Sequence, residues 1–431
     1  LNKFKRVAIV FITALFASLS CGVFLPVSAK AAGRLSRQAV GGDVFVFVHG
    51  LNGWGGDEGL NGILPYWGAS TGDLMEYLRS QGFDCYSASV GPISSAWDRA
   101  CELYAQLTGS TVDYGKAHSE GHNHLRFGRT YSEPLIKNWG DVDGGETAKV
   151  HFIGHSFGGT AIRMLSHLLE YGDDAEIKAD QTDISPLFTG GKGDMIKSVT
   201  TICTPHNSST FYYPAEKLKI TKSLQYISIL YAGIAGRSIL NGTYFDFHLE
   251  QFGLTNIPGE TNADEYLRSV RRLLKSNDDM AQFDITPKGT QILNEYLETN
   301  SNAYHFSYSF KTTRTIPILK IELPIKSTNP LLFLPSFVMG IMRTVTDSDT
   351  GQKCGPEWRA NDGLCSTFSQ TYPFDEAHVK FGGAAGVEKG VWNVMPVSVG
   401  DHGTAIGLLV KDKSQTHNFY TEILNMLSDL D

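Results

Sequence analysis

The chain has 431 residues, 42% of them hydrophobic, and a formal net charge of −8. That is enough apolar sequence for one large α/β domain with insertions, or for two domains. The mild acidic balance, with no block of lysine and arginine, argues against nucleic acid as a partner.

In chain order, the first element is a targeting segment. Lys3, Lys5 and Arg6 precede an apolar run from Val7 to about Phe24, and "PVSAKAAG" follows with small residues at Ala29 and Ala31. Basic start, apolar middle and small-residue end read as a secretory signal over residues 1–31, which makes the mature protein secreted. The competing reading is an uncleaved anchor, because the run approaches a membrane span in length. A lipoprotein signal through Cys21 is disfavoured by Ser18, which stands where that signal wants an aliphatic residue. Cleavage would remove Lys3, Lys5, Arg6 and Lys30 and leave about −12, a charge that does not draw a protein to anionic lipid. Five cysteines would remain, an odd number that rules out a fully paired framework. Cys354 and Cys365 are close enough in sequence for a disulfide; free buried thiols are the alternative.

"DVFVFVHG" (43–50) reads as a buried strand, as do "DCYSASV" (84–90), "KVHFIG" (149–154) and "MIKSVTTIC" (195–203). Helical spacing appears between them, at Leu74, Tyr77 and Leu78, then at Trp97, Cys101, Tyr104 and Leu107, then at Ile162, Leu165 and Leu169. Strands alternating with helices predict a mostly parallel sheet covered on both faces. After Pro205 the pattern turns helical and strongly apolar from about 211 to 240, and a polar helix follows over Asp264 to Lys275. Strands return at "AYHFSYSF" (303–310) and "WNVMPVSV" (392–399), and a helix carrying Phe419, Ile423, Leu424 and Leu427 closes the chain. This predicts one α/β domain over 41–431 with a helical insertion.

G-H-S-F-G (154–158), followed by Gly159, sits where a predicted strand becomes a predicted helix. Glycine costs about 1 kcal/mol in either element relative to alanine, so a tight turn must require it. A serine at the tip of such a turn, above the sheet's carboxyl end, reads as a nucleophile. Ser156 then needs a base and an acid later in the chain. Among the histidines that follow, His402 in "SVGDHGTA" lies in a glycine-flanked loop after a strand, while His167, His305 and His417 fall inside helices or strands. Asp362 in "RANDGLCS" is the candidate acid. Its rival Asp401 is adjacent to His402, and neighbouring side chains of an extended chain point apart. Asp362 also fits a plain turn aspartate. The glycine-rich "VHGLNGWGG" (48–56) after the first strand suits an oxyanion hole, which assigns the amides of Leu51 and Phe157.

Between 97 and 131 the sequence places His118, His122 and His124 within seven residues, with Asp98 upstream. Imidazole with carboxylate suits zinc, and a solvated histidine-rich loop is the alternative.

The runs "YWG" (66–68), "VGPISSAWDRACELYAQLTGSTVDYG", "HLRFGRTY", "ISPLF", "SVTTICTPH" and "GVWNVM" resemble the zinc-containing thermoalkalophilic bacterial lipases and their staphylococcal relatives. The resemblance runs from about Val44 to the last helix. It implies an α/β-hydrolase fold, a zinc-binding insertion at about 97–131 and a helical lid at about 207–290. It places nucleophile, acid and base on Ser156, Asp362 and His402, and zinc ligands on Asp98, His118, His124 and Asp279, with His122 a bystander. The glutamine usual after the nucleophile is Phe157 here. The family's calcium site is not expected, because Thr404 and Leu409-Val410 replace its carboxylates.

The expected function is therefore a secreted serine hydrolase of carboxylic esters, a lipase or esterase able to work at a lipid–water interface, with structural zinc. A short-chain or polymer-acting carboxylesterase is the near alternative; a zinc-dependent hydrolase and an inactive lipid-binding protein are the distant ones. The apolar stretch at 211–240 and "LLFLPSFVMGIM" (331–342) are expected to line or cover an acyl groove.

Overall fold

The computed structural model describes residues 42–139, 149–217, 246–257 and 260–431. The signal-type segment 1–31 and most of the apolar stretch expected at 211–240 lie outside the described residues.

Seven strands form the central sheet: β1 Val44–Val48, β2 Asp84–Ala88, β3 Val150–His155, β4 Ile196–Ile202, β5 Tyr304–Tyr308, β6 His378–Lys380 and β7 Trp392–Val394. Their spatial order is β6-β7-β5-β4-β3-β1-β2. Every neighbouring pair is parallel. The helices that cover the sheet or carry site residues are α1 Leu74–Ser80, α2 Ala96–Thr108, α3 Lys116–His122, α4 Phe157–Tyr171, α5 Ala263–Ser276, α6 Pro287–Tyr296, α7 Pro330–Gly340 and α8 Lys413–Ser428.

The unbroken apolar reading of β1 has a direct cause. Phe45 and Phe47 pack on one face with Leu74 and Leu78 of α1, Val270 and Leu274 of α5, and Ile423 and Leu427 of α8. Val44, Val46 and Val48 pack on the other with Leu103 and Leu107 of α2, Ile162 and Leu165 of α4, and Leu293 of α6. A strand covered on both sides has no solvent face to fill with polar residues. Helix ends follow local chemistry. Asp73 caps α1 by accepting from the amides of Met75 and Glu76, and Ser95 Oγ caps α2 by accepting from the Asp98 amide. α2 then ends on Gly109 in the left-handed region.

The expected strand at 392–399 is two pieces. β7 ends at Val394, and Ser398–Val399 pairs instead with Phe310–Lys311. Pro396 lies between them, and without an N–H it cannot continue a ladder. Cys354 and Cys365 are buried free thiols. The run 331–342, folded as α7, divides its side chains. Leu332, Ser336 and Met339 are buried, whereas Phe333, Leu334, Phe337 and Ile341 face outward. No helix among the described residues is long and apolar enough to cross a membrane.

Candidate active site and metal centre

Ser156 links β3 to α4 with φ 55° and ψ −128°, and its side chain makes no cap hydrogen bond to the helix it precedes. That backbone region is costly for a residue with a Cβ, and it marks turns held under strain for a purpose. The glycines around it are required by close approach. A Cβ on Gly158 would lie 2.2 Å from the Val48 carbonyl oxygen of β1, and one on Gly154 would lie 2.5 Å from the Gly159 amide. Strand, turn and helix thus pass too close for a side chain at positions 154 and 158. Phe157 opens α4, where an amide has no partner within the helix.

His402 lies beyond the Ser398–Val399 strand, and its Nδ1 is 2.7 Å from Asp362 Oδ2. Its own amide donates to the Asp362 carbonyl at 2.8 Å. The second carboxylate oxygen, Oδ1, accepts from the amides of Leu364 (2.9 Å) and Cys365 (2.7 Å). Asp362 is fully buried, and His402 keeps a small exposed edge. The chain therefore joins two of the expected residues directly, and the N-D-G turn is what aims the carboxylate. Asp401 has other work. Its Oδ2 accepts from the Asn329 amide at 2.8 Å, and its Oδ1 accepts from the amides of Gly403 and Thr404.

Behind these residues runs a directional hydrogen-bond chain that the sequence did not announce. His155 Nε2 lies 3.1 Å from the His402 carbonyl oxygen, which can only accept, so this nitrogen carries the proton. Burial, followed by the nearby His402, drives the His155 pKa far down, so the ring is neutral and Nδ1 is an acceptor. Tyr66 Oη, 2.7 Å away, donates to Nδ1 and itself accepts from the Gly50 amide at 2.9 Å. The loop of the expected base is thereby fastened to the loop of the expected oxyanion donor. Arg99 of α2, wholly buried, donates from Nη2 to the carbonyls of His49 (2.6 Å) and Gly50 (3.4 Å). The neighbouring Asn52 amide donates to Pro92 at 2.8 Å. With the carbonyls and flanking amides of this turn engaged, the Leu51 amide is the donor left without an acceptor among the described residues.

The second centre gathers Asp98, His118, His124 and Asp279, each offering one ligand atom within 4.8 Å of the others. His118 Nε2 lies 3.3 Å from both Asp98 Oδ1 and Asp279 Oδ2, and His124 Nε2 lies 3.3 Å from Asp279 Oδ2. Asn123 ends α3 in the left-handed region at φ 58°, and this reversal brings His124 beside His118. His122 turns away to Asp278, 3.6 Å distant. Secondary contacts orient the ligands. His124 Nδ1 meets the Leu125 carbonyl at 2.8 Å, which leaves the Nε2 lone pair aimed inward. Gln251 Nε2 donates to Asp98 Oδ2 at 2.7 Å, and Trp97 stacks on His118. Burial, then the charge of Asp279, raises the Asp98 pKa. For Asp279 burial acts the same way, but the hydrogen bond with His118 and the nearness of the His124 ring outweigh it and hold its carboxyl low. Asp98 Oδ1 and His124 Nε2 are buried with no hydrogen-bond partner among the described residues. Two imidazoles and two buried carboxylates, each with a ligand atom turned to the others, form a donor set that fits a divalent cation of zinc's preferences.

Arg99, Tyr66 and His155 were missed as functional residues. Each sat inside a motif already in view ("WDRA", "YWG" and "GHS"), but nothing in those letters tells which distant loop a side chain reaches.

A family model described as "Lipase-like, C-terminal domain" matches residues 42–430. The lipase of Staphylococcus hyicus is 34% identical over 391 residues, which are 90% of this chain and 57% of that protein. The chain thus spans only a little over half the length of this curated relative. The crystal structure of Staphylococcus hyicus lipase matches with a TM-score of 0.74 at 34% identity, over 90% of this chain and 95% of that one. The structure of EstA from Clostridium botulinum matches with a TM-score of 0.77 at 33% identity, over 98% of each chain. The parallel seven-stranded sheet with its two helical layers is an α/β-hydrolase fold.

Proposed function

Since the chain belongs to this lipase-like family, we propose that it is an exported serine hydrolase of carboxylic esters, a lipase or esterase. The observation that carries the reading is the buried Asp362–His402 pair, 2.7 Å apart, tied through His155 to the strained serine turn. In this mechanism His402 Nε2 takes the proton of Ser156 Oγ as that oxygen attacks the ester carbonyl. The amides of Leu51 and Phe157 hold the resulting oxyanion. His402 gives the proton to the departing alcohol, leaving an acyl-serine. It then deprotonates a water that attacks the acyl carbon, and returns that proton to Ser156 Oγ as the Oγ–acyl bond breaks and the carboxylic acid leaves. Asp362 keeps the Nδ1–H of His402 aimed and stabilises the imidazolium.

Asp98, His118, His124 and Asp279 would hold zinc. When bound, zinc supplies a structural cross-link between residues 97–131 and the segment before α6. Four protein ligands leave no position for a reacting water, which favours a structural over a catalytic role. On the same footing the chain is one hydrolase domain with a zinc-binding insertion near 97–131 and a lid near 207–290.

An active-site phosphonate tests the chemistry. It should leave one covalent adduct on Ser156, located by peptide mass, and abolish hydrolysis of a dissolved ester. Turnover that survives full modification of Ser156 would remove the serine mechanism.

A further inference from the structure

α7 and the turn before it present an unusual surface. Along α7 the outward residues Phe333, Leu334, Phe337 and Ile341 are all large and apolar, with Phe333 48% and Ile341 41% exposed. Their spacing of 1, 3 and 4 lays them in one stripe down a helix. A soluble helix ordinarily turns a polar side to water, and here both sides are apolar. A second apolar group continues the stripe. The hairpin Thr313–Ile316 with Ile321–Pro324 turns through Ile318 and Leu319, which are 94% and 63% exposed. Arg359 donates to the carbonyls of both Lys320 and Met342, which fastens the hairpin tip beside the C-terminal end of α7.

Charge completes the pattern. From Arg314 to Arg343 there are four basic residues (Arg314, Lys320, Lys326 and Arg343) and one acid, Glu322. The four bases are exposed and make no ion pair among the described residues. Glu322 is buried, paired with Lys311 at 3.1 Å and bonded by Thr313 at 2.7 Å. The segment that carries the apolar stripe therefore has a local excess of positive charge on a protein whose total charge is −8. It also adjoins the candidate active site. Asn329, which caps α7, donates its amide to Asp401 beside His402, and a Cβ on Gly363, next to Asp362, would touch Leu332 of α7.

We infer that this face docks the protein on an anionic lipid surface. Ile318, Leu319 and the α7 stripe enter the acyl boundary, and the four bases meet negative headgroups or fatty-acid carboxylates at the rim. The acidic remainder of the chain is repelled by the same surface, so the charge pattern also orients the molecule. The inference rests on the ester-hydrolase reading for its purpose, but the binding itself does not.

The test uses vesicles of ether-linked phosphatidylglycerol or phosphatidylcholine, which offer no ester to cleave, and measures partition by co-sedimentation. The full chain should prefer the anionic vesicles by roughly tenfold or more, with the preference fading in high salt. Ile318→Ser with Leu319→Ser, and separately Lys320→Glu with Lys326→Glu, should each lower binding by about tenfold while hydrolysis of a dissolved ester stays at the parent rate. Equal partition of parent and variants, or indifference to headgroup charge, overturns the inference. So does a dimer, seen by sedimentation, that the Ile318 and Leu319 changes dissolve, because a second copy would then be the occupant. Loss of ester hydrolysis in the parent with vesicle binding intact would instead remove the enzymatic reading.

Discussion

In the candidate active site the Gly50 amide, the Tyr66 hydroxyl, both nitrogens of His155 and both oxygens of Asp362 all find partners in the chain. In the Asp98–Asp279 cluster, Asp98 Oδ1 and His124 Nε2 are buried and have no hydrogen-bond partner among the described residues. An unsatisfied buried polar atom costs about 1–3 kcal/mol, more when charged, so the chain alone completes the hydrogen-bond run from Gly50 through Tyr66 and His155 to the His402 loop and Asp362, but leaves ligand atoms of the second centre unpaired. The difference teaches which run of contacts is preorganised by folding and which cluster has ligand atoms to offer a cation.

The comparison breaks most visibly at Ser156. Ser156→Ala and His402→Ala should each lower ester hydrolysis by several orders of magnitude, and the double variant should lose no more than either alone, since the residues act as one unit. Unchanged circular dichroism and melting would accompany the loss. Additive losses would mean that the two residues do not share a step.

Next in size is the metal cluster, where stability and not rate should respond. Metal analysis of the purified chain should find about one zinc per molecule. Chelation, or His124→Ala, should lower the melting temperature by several degrees while kcat per folded molecule persists. Paired melting and rate measurements decide it. An unchanged melting temperature in a metal-free protein would end the structural role, and a lost chemical step in stably folded protein would move zinc into catalysis.

The smallest effect should fall on the hydrogen-bond chain between the two loops. Tyr66→Phe removes the donor to His155 and the acceptor for Gly50, and should lower kcat about tenfold with little change in KM, since losing the two bonds together costs about 1–2 kcal/mol. A change in KM alone would show that Tyr66 shapes the substrate pocket without aligning the reacting groups.

Legibility in the sequence followed the range of the forces involved. The elbow could be read because its glycines answer to contacts within one strand, one turn and one helix. The parallel sheet could be read because burial on two faces leaves unbroken apolar runs. Asp362 and His402 needed the order of the fold as well as their turns. In the metal cluster, the histidines showed themselves by proximity. The choice of His124 over His122, like Asp279, came only from the family resemblance, and its physical cause is the left-handed backbone at Asn123. Tyr66 and His155, 89 positions apart, meet through tertiary packing that leaves no local pattern. The outward face of α7 was not legible. Its apolar letters predicted a stretch that lines or covers an acyl groove, but sequence cannot say which side of an all-apolar helix meets water.

Asp98 and Arg99 are consecutive on α2, yet one reaches the cation cluster and the other the His49–Gly50 turn. Successive helical residues point about 100° apart, so both centres are in phase with a single helical step. A substitution at one of the half-buried positions of the helix, Tyr104 or Thr108, can be absorbed by local repacking. Insertion or deletion of a single residue in the turn that holds positions 98 and 99 cannot, because it would swing one side chain off its target while leaving the other in place. The length of the segment is therefore held by both places at once.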